Sequence, residues 1–445
     1  MFVNELGRFV AETKFEDLPP SVVGTVKLRI LDLVTAAMVG FRIGVYRPLF
    51  EILGGRSEAT VWGQGVKYPL RDAVLVNSFM AHSIYFEDGS RFTGGHPSSV
   101  VIPAALSLGE MNGSNGKEII LSVALGYDVF IRLGKAIYPS TVVRGFQSTA
   151  VLGALGSAAA CASLLKFDRE KCKNALAIAC NIGVGLKAAL KTPHSQPIQV
   201  GRSCEGGVLS ALFAGRGVPG SDTIIEDGFL KAFADHPNRE DILSELGRRY
   251  LIEETYIKIH AGCRGNHAPI DVIQDLIRKH EIRPEEIKEI KVKVDSVTMA
   301  GSIPEPRDGP QAQLSIPFSV AVAVVEGNAS IYQYTDEKVR DPKICSMMAK
   351  IFVEIDKRLD EGYPDKRSAQ GEILLGDGRK FSTFMGIARG EPESPLSARE
   401  IEEKFFFFTR EILGERAEEI CEQVRHLETL KHIGELVQKL KARVS

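Results

Sequence analysis

Histidines, cationic side chains and adjacent carboxylates gather at three places in this 445-residue chain, each just ahead of an apolar run. The first is "YFEDGSRFTGGHPSS", residues 85 to 99, which carries Tyr85, Glu87, Asp88, Arg91, Thr93 and His96 with glycines at 89, 94 and 95. Glycine permits positive φ and close approach of backbone to a ligand. Pro97 suits the first turn of the helix that follows. The unpaired N–H groups and positive dipole end of that helix would seat a carboxylate, with His96 placed to move a proton beside it. The plainer reading is a capped helix, in which Ser98 and Ser99 serve the helix start and the two acids lie on a solvated turn.

The second place is "KIHAGCRGNHAPIDV", residues 258 to 272, with Lys258, His260, Cys263, Arg264 and His267. Arg264 can hold a carboxylate through two parallel hydrogen bonds, Lys258 and His260 add positive charge, and a histidine can act as acid or base. A polar crossing between domains, with its histidines satisfied internally, reads equally well. The His260 to His267 spacing fits no common zinc motif, so neither a metal nor a cofactor is assigned. The third place, residues 187 to 214, has Lys187, Lys191, His194 and Arg202 before a small-residue helix, either an anion site or a solvated basic face. Cys204 and Cys263 read as packing residues, not nucleophiles.

Helices must position most of these groups. Val23, Val26, Ile30, Val34 and Ala37 recur at three- and four-residue steps, which predicts a helix over 22–39 ended by Gly40. Asn115 with Glu118, and Ser397 with Glu400, have the spacing of capping boxes. "TAVLGALGSAAACASLL", 149 to 165, is short of a membrane span and reads as a close-packed buried helix. After about residue 255 the texture changes. "IKVKVDSV" alternates like a half-exposed strand, "EILLGDGRKFSTFM" reads as a hairpin turning at Asp377-Gly378, and "DPKICSMMAKIFVEI" reads as a helix opened by Asp341-Pro342. The expected class is mainly α: a helical domain over 1–255, an α+β domain over 256–394, and return helices over 395–445 that complete the first.

Fifty-five basic and 57 acidic residues nearly cancel, which gives no electrostatic reason to expect nucleic acid or a membrane surface as partner. Seven cysteines without a CxxC pair fit reduced thiols, and the N-terminal stretch lacks the apolar core of a signal peptide, so a cytoplasmic protein is expected.

Taken together, the blocks resemble a known family. "NSFMAHSIYFEDGSRFTGGHPSSVVIPAAL" is similar to the N-G-x-x-A-H-x-x-D-F-D-D…H-P-S-S-x-x-x-P-A-A-L block of the 2-methylcitrate dehydratase, or MmgE/PrpD, family. "RGFQSTAVLGALGSAAA", "KIHAGCRGNHAPID", "AQLSIPFSVAVAV" and the closing "LLGDGRKFS…PESPLSAREIEEKF" resemble further family blocks in order. The resemblance implies a large helical domain built from both chain ends, a smaller α+β lid domain, a homodimer, and a metal-independent active site between the domains. The family's reactions include dehydration of 2-methylcitrate, decarboxylation of cis-aconitate and epimerisation of iminodisuccinate. Each removes a proton or carboxylate from a carbon beside a carboxylate, and so needs cationic clamps and a positioned acid-base pair.

His96, His267, Asp88, Arg264, Lys258 and Asn77 fall on motif positions. By the resemblance His96 and His267 are the proton-transfer candidates, Asp88 an orienting group, and Arg264 and Lys258 carboxylate contacts. The departures lie in the chemistry. Tyr85 replaces an aspartate, Gln147 a histidine, His260 and Phe318 tyrosines, and Gln196 and Gln199 a lysine and a histidine. Glutamine and phenylalanine keep polarity or volume but cannot transfer a proton. The resemblance therefore implies a divergent lyase or isomerase for a small carboxylate-bearing metabolite, not ordinary 2-methylcitrate dehydration. Tyr85 becomes a replacement acid, and Gln147, Gln196, Gln199, His260 and Lys191 become substrate contacts. The other expectation is a catalytically silent relative that binds a metabolite or a protein partner.

Overall fold

A computed structural model describes every residue except Ile52, Thr192, Pro193, His194, Val444 and Ser445, and every side chain but those and Glu51 and Lys191. Helix accounts for 59% of the chain and strand for 9%, so the class is mainly α, as expected. Residues 1–83, 87–255 and 397–445 form one compact unit; residues 84–86 and 256–396 form another.

In the larger unit α1 (Phe2–Glu12) buries Val3, Leu6, Phe9 and Val10, one face of an amphipathic helix. Helix α2 (Pro20–Ile43) runs past the expected stop and ends at Gly44, which is left-handed at φ 82°. Gly40 has a different task. Helix α3 (Leu70–His82) crosses α2 so closely that a Cβ at position 40 would run into the Met80 carbonyl oxygen. Between the two helices β1 (Ala59–Val61) pairs antiparallel with β2 (Val66–Tyr68).

Helix α4 (Ser98–Asn112) is followed by α5 (Gly116–Ile137), where Asn115 Oδ1 accepts from Glu118 N at 3.0 Å and Glu118 Oε2 from Asn115 N at 2.9 Å, the expected capping box. Helices α6 (Ser148–Leu164), α7 (Arg169–Ala179) and α8 (Gln196–Gly215) complete the centre. Almost every residue of α6 is buried, and it packs on α5 and α8 through small side chains. A Cβ at Gly207 would lie 2.5 Å from Ala154 O, so the backbones of α8 and α6 meet with no room for a methyl. Among the described residues no helix is long and apolar enough to cross a membrane.

In the smaller unit α9 (His267–His280) packs on a four-stranded sheet with α10 (Ile316–Glu326) and α11 (Pro342–Met348) beside it. The strands are β3 (Ile287–Val294), β4 (Ile351–Ile355), β5 (Ala369–Leu375) and β6 (Lys380–Met385), in the order β4-β3-β5-β6. β3 and β4 are parallel and the other pairs antiparallel. Strand β3 buries Ile290, Val292 and Val294 as the alternation predicts. Asp341 caps α11 by accepting from Lys343 N and Ile344 N, yet the helix stops at Met348. The β-branched "IFVEI" that follows is β4, in register with β3 from Ile290↔Ile351 to Val294↔Ile355. A strand's β-propensity prevailed there over the helical pattern upstream.

The return helices α12 (Ala398–Leu413) and α13 (Arg416–Arg425) belong to the larger unit. Ser397 and Glu400 form their capping box, and Lys404 Nζ reaches Asp32 Oδ1 of α2 at 2.6 Å, both groups buried.

Candidate active site

The C-terminus of α3, the loop after it and the first turn of α8 assemble a buried polar cluster in the larger unit. His82 has no exposed surface; its Nδ1 lies 2.6 Å from Glu87 Oε1 and its Nε2 2.6 Å from Gln196 Nε2. The His96 ring stands 5.3 Å from the His82 ring, centroid to centroid. His96 Nδ1 lies 2.6 Å from the main-chain oxygen of Asp88 and 3.6 Å from Glu87 Oε1, while its backbone N donates to Thr149 Oγ1 at 3.0 Å.

These contacts assign the protons. A carbonyl oxygen only accepts, so the neutral His96 ring carries its hydrogen on Nδ1 and its lone pair on Nε2. Glu87 likewise takes the hydrogen from His82 Nδ1, which leaves His82 Nε2 to accept from the Gln196 amide. The His96 side chain keeps 17% of its surface while that of His82 keeps none, so of the two imidazoles His96 is the one with exposed surface.

Asp88 is fully buried. Its Oδ1 accepts from Ser98 N at 3.2 Å, its Oδ2 from the Tyr127 hydroxyl at 2.8 Å, and Arg29 Nε stands 3.5 Å away. Burial pushes the Asp88 carboxyl up to about 6, against the opposing pull of Arg29, Ser98 and Tyr127. Burial also raises the Tyr127 hydroxyl well above its ordinary value. The N-terminus of α4 therefore does attract a carboxylate, and that carboxylate is the protein's own. Asp88 touches His96 through its backbone, not its side chain. Arg29 is anchored in turn by Thr255, whose Oγ1 and O accept at 2.8 Å each.

In the smaller unit Tyr85 adopts φ 50°, rare for a bulky residue, and turns its main-chain oxygen toward Lys258 Nζ at 2.9 Å and Gly262 N at 3.2 Å. Lys258 is 1% exposed as a residue, and its ammonium also stands 5.9 Å from the Tyr85 ring centroid. His260 Nε2 pairs with Asp271 Oδ1 at 2.8 Å, and the His260 and His267 rings are 5.2 Å apart. Arg264 Nε meets Glu391 Oε1 at 2.5 Å, with its Cζ 5.1 Å from the Tyr256 ring.

The remaining predicted contacts are more dispersed. Gln147 caps α6, its Oε1 accepting from Ala150 N at 2.6 Å, and Gln199 Nε2 donates to Leu186 O at 3.3 Å. Phe318 is buried beside Tyr334 at 5.8 Å. Lys191 ends a short turn over Lys187–Lys191; its side chain and His194 lie outside the described residues. Cys204 is buried with Sγ donating to Val100 O at 2.9 Å, and burial raises its thiol to about 12, which suits packing, not nucleophilic chemistry. Sequence reasoning did not single out His82, Arg29 or Tyr127. Only His82 left a signal, five residues before Glu87 at a helix end; the other two sit on buried helix faces with no local motif.

Two family models cover most of the chain: the MmgE/PrpD N-terminal domain matches residues 4–241 and the MmgE/PrpD C-terminal domain residues 260–429. A cis-aconitate decarboxylase from Aspergillus terreus is 25% identical over 470 aligned residues, covering 98% of this chain and 95% of its own. The Homo sapiens cis-aconitate decarboxylase is 25% identical over 454 residues, covering 96% and 92%. A probable 2-methylcitrate dehydratase from Saccharomyces cerevisiae is 34% identical over 70 residues, 15% of this chain. The chain belongs to the MmgE/PrpD family, whose named members here are of the decarboxylase and dehydratase type.

Proposed function

We propose that this protein is a lyase or isomerase that acts on a small carboxylate-bearing metabolite by side-chain acid-base chemistry, with no metal, and that its reaction is not ordinary 2-methylcitrate dehydration. One observation carries the reading: His96 is a partly exposed imidazole whose Nδ1 is pinned to the Asp88 carbonyl, leaving Nε2 as the basic nitrogen. Proton abstraction beside a carboxylate needs such a base held in one tautomer. Glu87, close to both imidazoles, supplies negative charge that would stabilise the imidazolium formed when His96 takes the proton. The names of the full-length relatives support the reaction class.

His267 is the second proposed proton-transfer group, Arg264 and Lys258 the proposed carboxylate contacts, and Tyr85 the proposed replacement acid. A homodimer is part of the same proposal. Purified protein is to be incubated in deuterium oxide with cis-aconitate, 2-methylcitrate and a panel of small di- and tricarboxylates, and followed by NMR for exchange at the carbon beside a carboxylate, carbon dioxide release or water loss. The expected outcome is exchange or turnover of at least one compound, abolished by His96→Gln and unaffected by chelators. Wild-type protein inert to the whole panel would refute the acid-base reading. It would favour a binding protein instead, a reading with one observation of its own: Gln147 and Gln196 both spend a side-chain hydrogen bond on the protein.

A further inference from the structure

Arg264 spends Nε on Glu391 and Nη1 on Pro364 O at 3.4 Å, and its side chain is 8% exposed. Its Nη2 is fully buried and meets no acceptor among the described residues. A second guanidinium lies close by. Arg367, two residues before β5, packs against the residue that follows Arg264: a Cβ at Gly265 would lie 3.3 Å from Arg367 Nη1. Arg367 Nε is buried and also without an acceptor, and no carboxylate stands within 4 Å of Arg367 among the described residues. Its Cζ stands 5.4 Å from the Tyr363 ring centroid. Asp295 acts on Arg367 from farther off, but its two oxygens serve Thr298 N and Oγ1 at 2.7 and 2.6 Å.

Among the described residues the two guanidiniums thus have one hydrogen-bonded carboxylate between them, Glu391, and each keeps a buried N–H without a partner. A buried donor left unmet forfeits its hydration with nothing in return, and such groups are rare unless an ion or ligand completes them. The planar fork of arginine matches a carboxylate better than any other small group except phosphate. Arg367 as a whole residue is only partly buried.

We propose that Arg264 and Arg367 form a binding site for one carboxylate group of a small polycarboxylate, with Arg367 as the specificity-determining residue. Identification of that polycarboxylate as the substrate rests on the proposed function; the anion site does not.

The test is equilibrium binding to the full chain by calorimetry, with tricarballylate, propionate and inorganic phosphate as probes. Tricarballylate is expected to bind the wild type, about 10- to 100-fold more weakly to Arg367→Gln, and with intermediate affinity to Arg367→Lys, which keeps the charge but loses the fork. Propionate, with one carboxylate, is expected to bind more weakly than tricarballylate. Without anion, Arg367→Gln is expected to melt close to wild type, because no hydrogen bond or ion pair among the described residues is lost. The proposal is overturned by no tricarballylate binding to wild type, by unchanged affinity in Arg367→Gln, by a clear fall in its melting temperature without anion, or by a preference for phosphate over carboxylate at Arg367. Because His96→Gln is read by proton exchange, failure of this site and failure of the acid-base reading are separable.

Discussion

His96 Nδ1 lies 2.6 Å from the main-chain oxygen of Asp88, and this contact decides which ring nitrogen carries the hydrogen. Asparagine places an amide nitrogen where Nδ1 stood and has nothing in place of Nε2. His96→Asn is therefore expected to keep the contact with Asp88 O and to lose about 10²- to 10⁴-fold in turnover or deuterium exchange. Activity close to wild type in a folded His96→Asn protein would remove His96 as the base.

Asp88 makes stability depend on pH. Its carboxyl is pushed up from 3.8 to about 6 by burial, so between those values the folded protein holds a proton that the unfolded chain has released. Stability from this group is present below about pH 4, falls as pH rises through the window, and is flat above about 6. The drop amounts to at most about 3 kcal/mol. Asp88→Asn can still accept from Ser98 N and pair with Tyr127, and it cannot titrate. Melting temperatures of wild type and Asp88→Asn measured from pH 4 to 7 are expected to diverge, the wild type losing ground to the variant as pH rises. Parallel profiles would contradict the raised value.

His82 and Glu87 act as one buried unit. Glu87 Oε1 accepts from His82 Nδ1 at 2.6 Å with neither side chain exposed, so removing either leaves the other's polar atom facing a mismatched neighbour. Glu87→Gln and His82→Asn are each expected to cost about 1–3 kcal/mol. The double variant is expected to cost less than the sum, with a coupling of about 0.5–3 kcal/mol in a denaturation cycle. Strict additivity would show that the contact carries no energy of its own.

The route to this cluster was only partly visible along the chain. The loop from Tyr85 to Ser99 was legible because glycines, a proline and ionisable residues concentrate within fifteen positions, and the caps at Asn115 and Ser397 because their partners are three residues away. Arg29 and Tyr127 were not, because their partners lie across the fold: Asp88 is 39 positions from Tyr127 and Thr255 is 226 from Arg29. His82 was marked only by Glu87 five residues on, its other partner Gln196 being 114 positions away. Gly40 misled for a related reason. A glycine that ends a helix and one that lets another helix approach are the same residue until the second helix is in place, and only Gly44 has the left-handed backbone of an end. At "IFVEI" the deciding partner was β3, about sixty residues earlier.

Lys258 and Tyr85 can be separated experimentally because their hydrogen bond runs to the backbone. Lys258 Nζ donates to the Tyr85 main-chain oxygen, which Tyr85→Phe leaves in place along with the aromatic ring. Tyr85→Phe is therefore expected to keep the lysine's hydrogen bond and, with the hydroxyl as replacement acid, to lose about 10²-fold or more in turnover. Lys258→Met removes a charge-assisted bond from a buried position and is expected to cost about 1.5–3 kcal/mol. The two effects on stability should add, since the hydroxyl takes no part in the contact. Wild-type turnover in Tyr85→Phe would return Tyr85 to a purely conformational role, that of a residue held at positive φ so that its carbonyl can fix the lysine.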